Sequence, residues 1–294
     1  MNKILITGAT GLIGQKIIDL CLGANIGVNY LTTNTSKIRQ DGQVKGFYWN
    51  PKNGEIDSDC LIGVSTIINL AGSSIAKRWT NSYKEEIIES RVASIDLLAN
   101  TVKNGNYPIE QFITASAIGY YPNSETVLYD ESFTTDSTEF IVNVVREWEK
   151  AADQFETLNI KVAKIRIGIV LSAQGGALAQ LTKPIRNFVG SCLGSGHQWQ
   201  SWIHIDDIAS LFMFIMDKKL DGVFNGVAPN PVTQKVLIHE VAKNVNRPII
   251  FPAVPEFIMK LILGEMHVLV TGGQRVSSKR IEYLGFKYKY YQIK

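Results

Sequence analysis

Residues 7 to 16 read TGATGLIGQK, with Gly8, Gly11 and Gly14 spaced three apart. KILIT, a short apolar strand, runs directly into them, and an amphipathic helical segment opens directly after. A glycine turn in that setting can cradle a phosphate. Gly8 permits the tight turn, Gly11 lets a pyrophosphate approach the backbone, and Gly14 lets helix and strand pack closely. The N–H groups of Leu12 and Ile13 then point at the anion, helped by the helix dipole. A tight strand-to-helix turn without a ligand is the plainer alternative. The next strand ends Leu31-Thr32-Thr33-Asn34-Thr35-Ser36-Lys37, and no acid follows until Asp41. A site that prefers NAD usually places Asp or Glu there, on the ribose hydroxyls. Lys37 or Arg39 would instead pair with a 2′-phosphate, so NADP is the expected cofactor and NAD the alternative.

The elements that must hold such a turn follow from hydrophobic spacing. Strands are predicted at 3 to 7, 27 to 33, 46 to 50, 65 to 72, 110 to 117 and 160 to 171. Helices are predicted at 12 to 23, from Asn81 to the stop at Gly105, and over 140 to 155. The long helix places Ile87, Val92, Ile95, Leu98 and Val102 on one face. Strand and helix alternating, with apolar strands, argue an α/β fold: a doubly wound parallel sheet covered on both faces. Beyond Leu171 the texture changes to glycine-rich loops, a strand end and helix over 201 to 219, a strand and turn over 222 to 233, and proline-punctuated sequence from 247. The expected organisation is a dinucleotide-binding domain over 1–171 and a smaller, mostly C-terminal substrate lobe over 172–294. Elements returning to the sheet are expected at about 204–228.

Composition narrows the class. The chain of 294 residues is 45% hydrophobic and 19% charged, which excludes a mainly disordered protein. A net charge of +3 is too small to argue for nucleic acid or a membrane surface as the main partner. Cys21, Cys60 and Cys192 are far apart and odd in number, which suits a reducing compartment, and the four histidines lack metal-ligand spacing. No targeting segment or membrane span is read. A cytoplasmic protein acting on a small molecule is expected, with a homodimer as the candidate assembly.

The glycine spacing, NLAG at 69 to 72 and WIHIDDIA at 202 to 209 resemble the extended, epimerase-like branch of the short-chain dehydrogenase/reductase superfamily, with its Rossmann-like fold. NLAGSSIAKRWT, SRVASIDLL, SAIGYY, GGAL, GSGHQWQSWIHIDD, NGVAPNPVT and GEM, in that order, are similar to atypical members that end in a small domain of unknown function, here about 247–294. Some relatives have been labelled cell-division inhibitors. The resemblance implies that Gly8, Thr10, Gly11, Leu12 and Ile13 hold the pyrophosphate and that Thr32 and Thr33 lie by the adenosine ribose. Thr33 stands where this subfamily commonly has an arginine. Leu70, Ala71 and Gly72 would contact the cofactor, and Glu86 and Arg91 would face its cleft.

Hydride chemistry in this superfamily uses a Ser or Thr with Tyr-x-x-x-Lys on the helix after the fifth strand. Ser116 stands at the serine's place. The helix puts Phe140 or Ile141 at the tyrosine position and Val144 or Val145 at the lysine position, and none of these donates a proton. Tyr120 and Tyr121 are the substitutes within reach, unless they only pack. Lys77 and Arg78, with His197, Gln198, Trp199 and Trp202, form the candidate substrate pocket, aromatic faces with a few polar groups. Asp206 or Asp207 is expected to cap a helix from Ile208, with His204 bracing the lobe. Phe286, Tyr288 and Tyr290 would alternate on one strand face. The expected function is an NADP(H)-binding atypical oxidoreductase or epimerase-like enzyme. Its rival is a non-catalytic dinucleotide-binding regulator or redox sensor, linked to cell division.

Overall fold

The computed structural model describes residues 3–293. Seven parallel strands form the main sheet: β1 (Lys3–Thr7), β2 (Gly27–Thr32), β3 (Val44–Asn50), β4 (Val64–Asn69), β5 (Gln111–Ala117), β6 (Lys161–Ile167) and β7 (Gly222–Gly226). Their order across the sheet is β7-β6-β5-β4-β1-β2-β3. The order reverses beside β1, which leaves a crevice at the carboxyl ends of β1 and β4, the switch point where doubly wound sheets bind ligands. Two short antiparallel pieces, Gln40–Asp41 and Glu55–Ile56, flank β3.

Helices α1 (Leu12–Gly23), α2 (Asn81–Asn104) and α3 (Phe140–Ala152) cross between the strands. Further along the chain stand α4 (Gly176–Arg186), α5 (Ile205–Asp217), α6 (Gln234–Asn244) and α7 (Glu256–Leu263), and α5 joins the main core. α1 packs with α5, and α2 packs with α3. The Thr80 hydroxyl caps α2 by accepting the Tyr83 N–H at 3.2 Å. Ile87, Ile95, Leu98 and Val102 of α2 are buried as their spacing predicts, while Val92 is only partly covered. Each fully buried aliphatic side chain of this kind contributes roughly 1.5–3 kcal/mol. One core cluster unites β1, β2, β4, β5 and β6 with α1, α2 and α5, and Phe112 stacks on Phe155 at 3.9 Å.

Three local expectations are corrected. The run from 160 to 171 is two strands, because Gly168 lies against the Ser201 backbone, where a Cβ would meet the carbonyl oxygen at 2.2 Å. Ile169–Ser172 then leaves the sheet to pair in parallel with Trp202–His204. α5 begins at Ile205, and its cap is His204, whose Nδ1 accepts the Asp206 N–H at 3.1 Å. Asp207 instead accepts the N–H groups of Lys289 and Tyr290 at 2.8 and 2.9 Å. Those bonds tie the tail down without a strand. Phe286 and Tyr288 are buried, while Tyr290 stacks on His204 at 3.7 Å.

Candidate functional site

The turn after β1 is held by backbone alone. Gly8 has φ +65°, and a Cβ there would lie 2.7 Å from the Leu70 carbonyl oxygen. A Cβ on Gly14 would lie 2.6 Å from the Gly8 oxygen, so this glycine packs the first turn of α1 onto the loop itself. Gly11 N–H donates to the Gly8 carbonyl at 3.0 Å. Among the described residues nothing accepts from the N–H groups of Leu12 and Ile13. These free amides at the start of a three-turn helix make an anion-binding surface.

A polar chain missed in the sequence fixes that surface to the sheet. Thr7 Oγ1 donates to Asn69 Oδ1 at 2.6 Å and accepts the N–H groups of Leu70 and Ala71 at 3.1 Å each. Asn69 Nδ2 donates to Thr114 Oγ1 at 3.1 Å. The ends of β1, β4 and β5 are thereby stitched together in a buried region where unpaired polar groups would be costly. The available signal was one polar residue at the same depth of each apolar strand.

Two cavities meet at Thr10. One, of about 880 Å³, lies between the turn and α2 and is lined by Gly8, Thr32, Thr33, Gly72 and Ser90 among others. The second, of about 400 Å³, brings Lys37 and Arg39 to the side of α1 with Gln15 and Tyr30. Tyr30 fixes that loop: its hydroxyl donates to the Lys37 carbonyl at 2.6 Å and accepts the Arg39 N–H at 2.9 Å. Asp41 lines the same cavity. Among the described residues neither Lys37 nor Arg39 forms a salt bridge.

Glu86 and Arg91 part company. Glu86 accepts from the Ser73 hydroxyl at 3.0 Å in the loop after Ala71 and Gly72. Arg91 is buried beneath Gly72, where its Cζ would lie 3.2 Å from an added Cβ. Its guanidinium covers the Trp148 ring at 4.8 Å and donates to the Ile87 carbonyl at 2.8 Å, while its Nε has no partner among the described residues. Burial without a carboxylate lowers its pKa to about 10.

Two of the three catalytic candidates are committed elsewhere. Ser116 Oγ donates to Glu149 Oε1 at 2.6 Å, and Glu149 is clamped by Arg166 through two bonds of 2.8 Å. Arg166 also donates to the Tyr121 hydroxyl at 3.1 Å, which itself donates to Asn225 at 2.8 Å. Tyr121 is 1% exposed, and burial pushes its pKa up to about 12, so it is a poor proton donor near neutrality. Tyr120 is half-buried with its ring over Arg166 at 3.5 Å, and its hydroxyl has no partner among the described residues. Ile141 and Val145 face Gly119 at the end of β5, while Phe140 packs edge-on against Trp79 at 4.9 Å.

The six residues grouped as a substrate pocket do not share one wall. Lys77 and Arg78 are exposed before α2, and His197 is exposed in the second lobe. Gln198 is buried and donates to the Leu193 and Val270 carbonyls at 2.7 and 3.2 Å, so it braces a loop. Trp199 lies under Arg275 at 4.6 Å and donates to the Glu125 carbonyl. Trp202 is buried beside α4 and α6. Trp199 and Trp202 lie three apart on an extended segment, whose successive residues point to opposite sides.

A parallel sheet with this strand order, a glycine turn at its switch point and a lobe built on the returning chain define an extended short-chain dehydrogenase/reductase architecture. The chain belongs to the NAD dependent epimerase/dehydratase family, whose model matches residues 4–226, and it ends in a Domain of unknown function (DUF1731) matched over residues 254–294. An epimerase family protein of Staphylococcus haemolyticus is 35% identical over 295 residues, covering 100% of this chain and 97% of the relative. An epimerase family protein of Staphylococcus aureus (strain NCTC 8325 / PS 47) matches with the same identity and coverage, 35%, 100% and 97%. The crystal structure of human epimerase family protein SDR39U1 with NADPH superposes with a TM-score of 0.84 at 26% identity, over 99% of this chain and 96% of the human one. The nucleoside-diphosphate sugar epimerase from Corynebacterium glutamicum superposes with a TM-score of 0.79 at 28% identity, over 99% of this chain and 56% of that one. Among the described residues no helix is long and apolar enough to cross a membrane.

Proposed function

We propose that the chain binds NADP(H) across the Gly8 turn and acts as an atypical oxidoreductase or epimerase-like enzyme on a small polar substrate. The observation that carries the cofactor reading is the meeting of the two cavities at Thr10. Gly8, Thr32 and Thr33 line one of them, Lys37 and Arg39, without salt-bridge partners among the described residues, line the other, and the free amides of Leu12 and Ile13 stand two and three residues past Thr10 at the start of α1. The positive φ of Gly8 and the close approach of Leu70 restrict that position to glycine, and the turn it makes leaves the Leu12 and Ile13 N–H groups free, a donor set that fits a pyrophosphate. The human epimerase family protein solved with NADPH supports the same reading.

When bound, the cofactor supplies hydride exchange. Leu12 and Ile13 would hold the diphosphate, Lys37 and Arg39 the 2′-phosphate, and Thr32 and Thr33 the ribose edge. Leu70, Ala71 and Gly72 present backbone along the cleft, and Arg91 beneath Gly72 adds a buried positive charge. Glu149 and Arg166 consume the Ser116 and Tyr121 hydroxyls, which would leave Tyr120 to pass a proton to the substrate oxygen. Lys77 and Arg78 would draw in an anionic substrate.

A second reading has its own support. The positions of the usual proton-transfer pair, Phe140 or Ile141 and Val144 or Val145, carry no proton donor, which favours a non-catalytic dinucleotide-binding regulator, as in control of cell division. Fluorescence titration with NADPH and NADH, followed by aldehydes, ketones and nucleotide sugars with cofactor oxidation as readout, separates these. NADPH binding with turnover lost in Tyr120→Phe supports the enzyme. Binding without turnover across the panel supports the regulator. No binding at micromolar concentrations of either nucleotide overturns both.

A further inference from the structure

A second region of the molecule is built to hold a ligand and shares no lining residue with the cofactor cavities. Between α4, α6 and the C-terminal tail lies a cavity of about 740 Å³, within the size range of small-molecule sites. Its floor is apolar, with Leu171, Leu178, Leu237 and Val241 on it. Trp202 forms part of the wall, and its indole N–H is spent on the Asn230 carbonyl at 3.0 Å, so it offers the cavity only aromatic surface.

Its polar lining is mixed, with Ser172, Thr182, Asn187, Asn244 and Gln292 beside the charged and ring groups, and the cations on it outnumber the carboxylates. His204 lines the cavity with its ring stacked on Tyr290. Because Nδ1 accepts the Asp206 N–H, the neutral ring carries its proton on Nε2, and no described residue accepts from that donor. Burial lowers the His204 pKa and keeps the ring neutral. Lys183 and Arg186 stand one helical turn apart on the α4 rim, exposed, and neither meets a carboxylate among the described residues. Glu240 is the one carboxylate among the described lining residues, and it lies 4.0 Å from Lys243 of its own helix.

We infer that this cavity binds an amphipathic organic anion, its apolar body on the leucine floor against Trp202 and its head held by Lys183, Arg186 and the His204 Nε2–H. The floor disfavours a wholly polar anion, whose hydration it cannot replace. The unpaired cations disfavour a neutral apolar ligand, which would leave them unused. A carboxylate and a phosphate monoester share this chemistry.

Calorimetric titration of the full chain with octanoate, octyl phosphate and 1-octanol tests the site. At least one of the two anions is expected to bind ten times or more tightly than octanol, and which one does so names the head group. Lys183→Ala with Arg186→Ala should cut that advantage below threefold and leave octanol binding and NADPH titration unchanged, since both side chains are exposed. Leu237→Trp should block all three ligands by filling the floor. Octanol binding as tightly as both anions, an advantage that survives the double substitution, or no saturable binding of either anion at millimolar concentration would each overturn the proposal. Inorganic phosphate competing as well as the octyl anions would also overturn it, because the floor would then contribute nothing.

Discussion

Under the proposed function, Lys37 and Arg39 are the residues on which cofactor choice would turn. Each charge-assisted contact to a phosphate is worth roughly 1.5–3 kcal/mol, and 1.4 kcal/mol is about a factor of ten in affinity. Lys37→Ala with Arg39→Ala is therefore expected to weaken NADPH binding at least tenfold and NADH binding less than twofold, measured by fluorescence titration. Ser116 and Glu149 make a second case. Glu149→Gln leaves the Arg166 guanidinium buried without a counter-charge, and such a break typically costs about 3–5 kcal/mol. Ser116→Ala removes one buried hydrogen bond to a carboxylate and should cost about 1.5–3 kcal/mol in urea unfolding, with NADPH affinity unchanged. A Ser116→Ala protein of normal stability that had lost all turnover would return that hydroxyl to the chemistry. Nothing in TASAIGYY revealed this, because the carboxylate that takes the hydroxyl lies 33 residues further on.

The elements were the most legible part of the chain. Apolar runs of strand length and the Gly105 stop placed the main strands and α2 within a few residues of where they stand. The lobe was less so, since its short strands pair across long separations and carry no periodicity of their own. α5 shows what the missing information was. His204 caps it as a neutral acceptor, and burial holds its pKa below the ordinary histidine value. In the window between the lowered folded value and the ordinary one near pH 6.5, the unfolded chain binds more protons, so stability rises with pH. The contribution is fully present above about pH 6.5 and is lost as pH falls through the folded value. The melting temperature should therefore drop between pH 7.5 and 5.5. His204→Asn, which keeps a capping side chain but cannot titrate, should flatten that drop. An equal drop in both proteins would exclude His204 as its source.

On the scale of the whole molecule, the sheet, the glycine turn and the tail clamp share one continuous core around α1 and α5. A ligand bound only by the folded chain stabilises it by about 2.7 kcal/mol at a hundred times its dissociation constant. For a chain of this size NADPH at that excess should raise the melting temperature by about 5 °C. A Gly8→Ala protein, if it folds, should show no rise, because its new Cβ would sit against the Leu70 carbonyl. The sequence by itself determined the strand and helix alternation and the glycine turn, because both are local: side-chain period sets the first and the absence of Cβ atoms sets the second. Only the tertiary structure decided where the chemistry-bearing side chains go. Arg91 was drawn under Gly72, Ser116 was taken by Glu149, and Gln198 was spent on a carbonyl 72 residues away. A buried polar side chain points to whichever distant partner satisfies it, and that partner is named by the fold rather than by its neighbours in sequence.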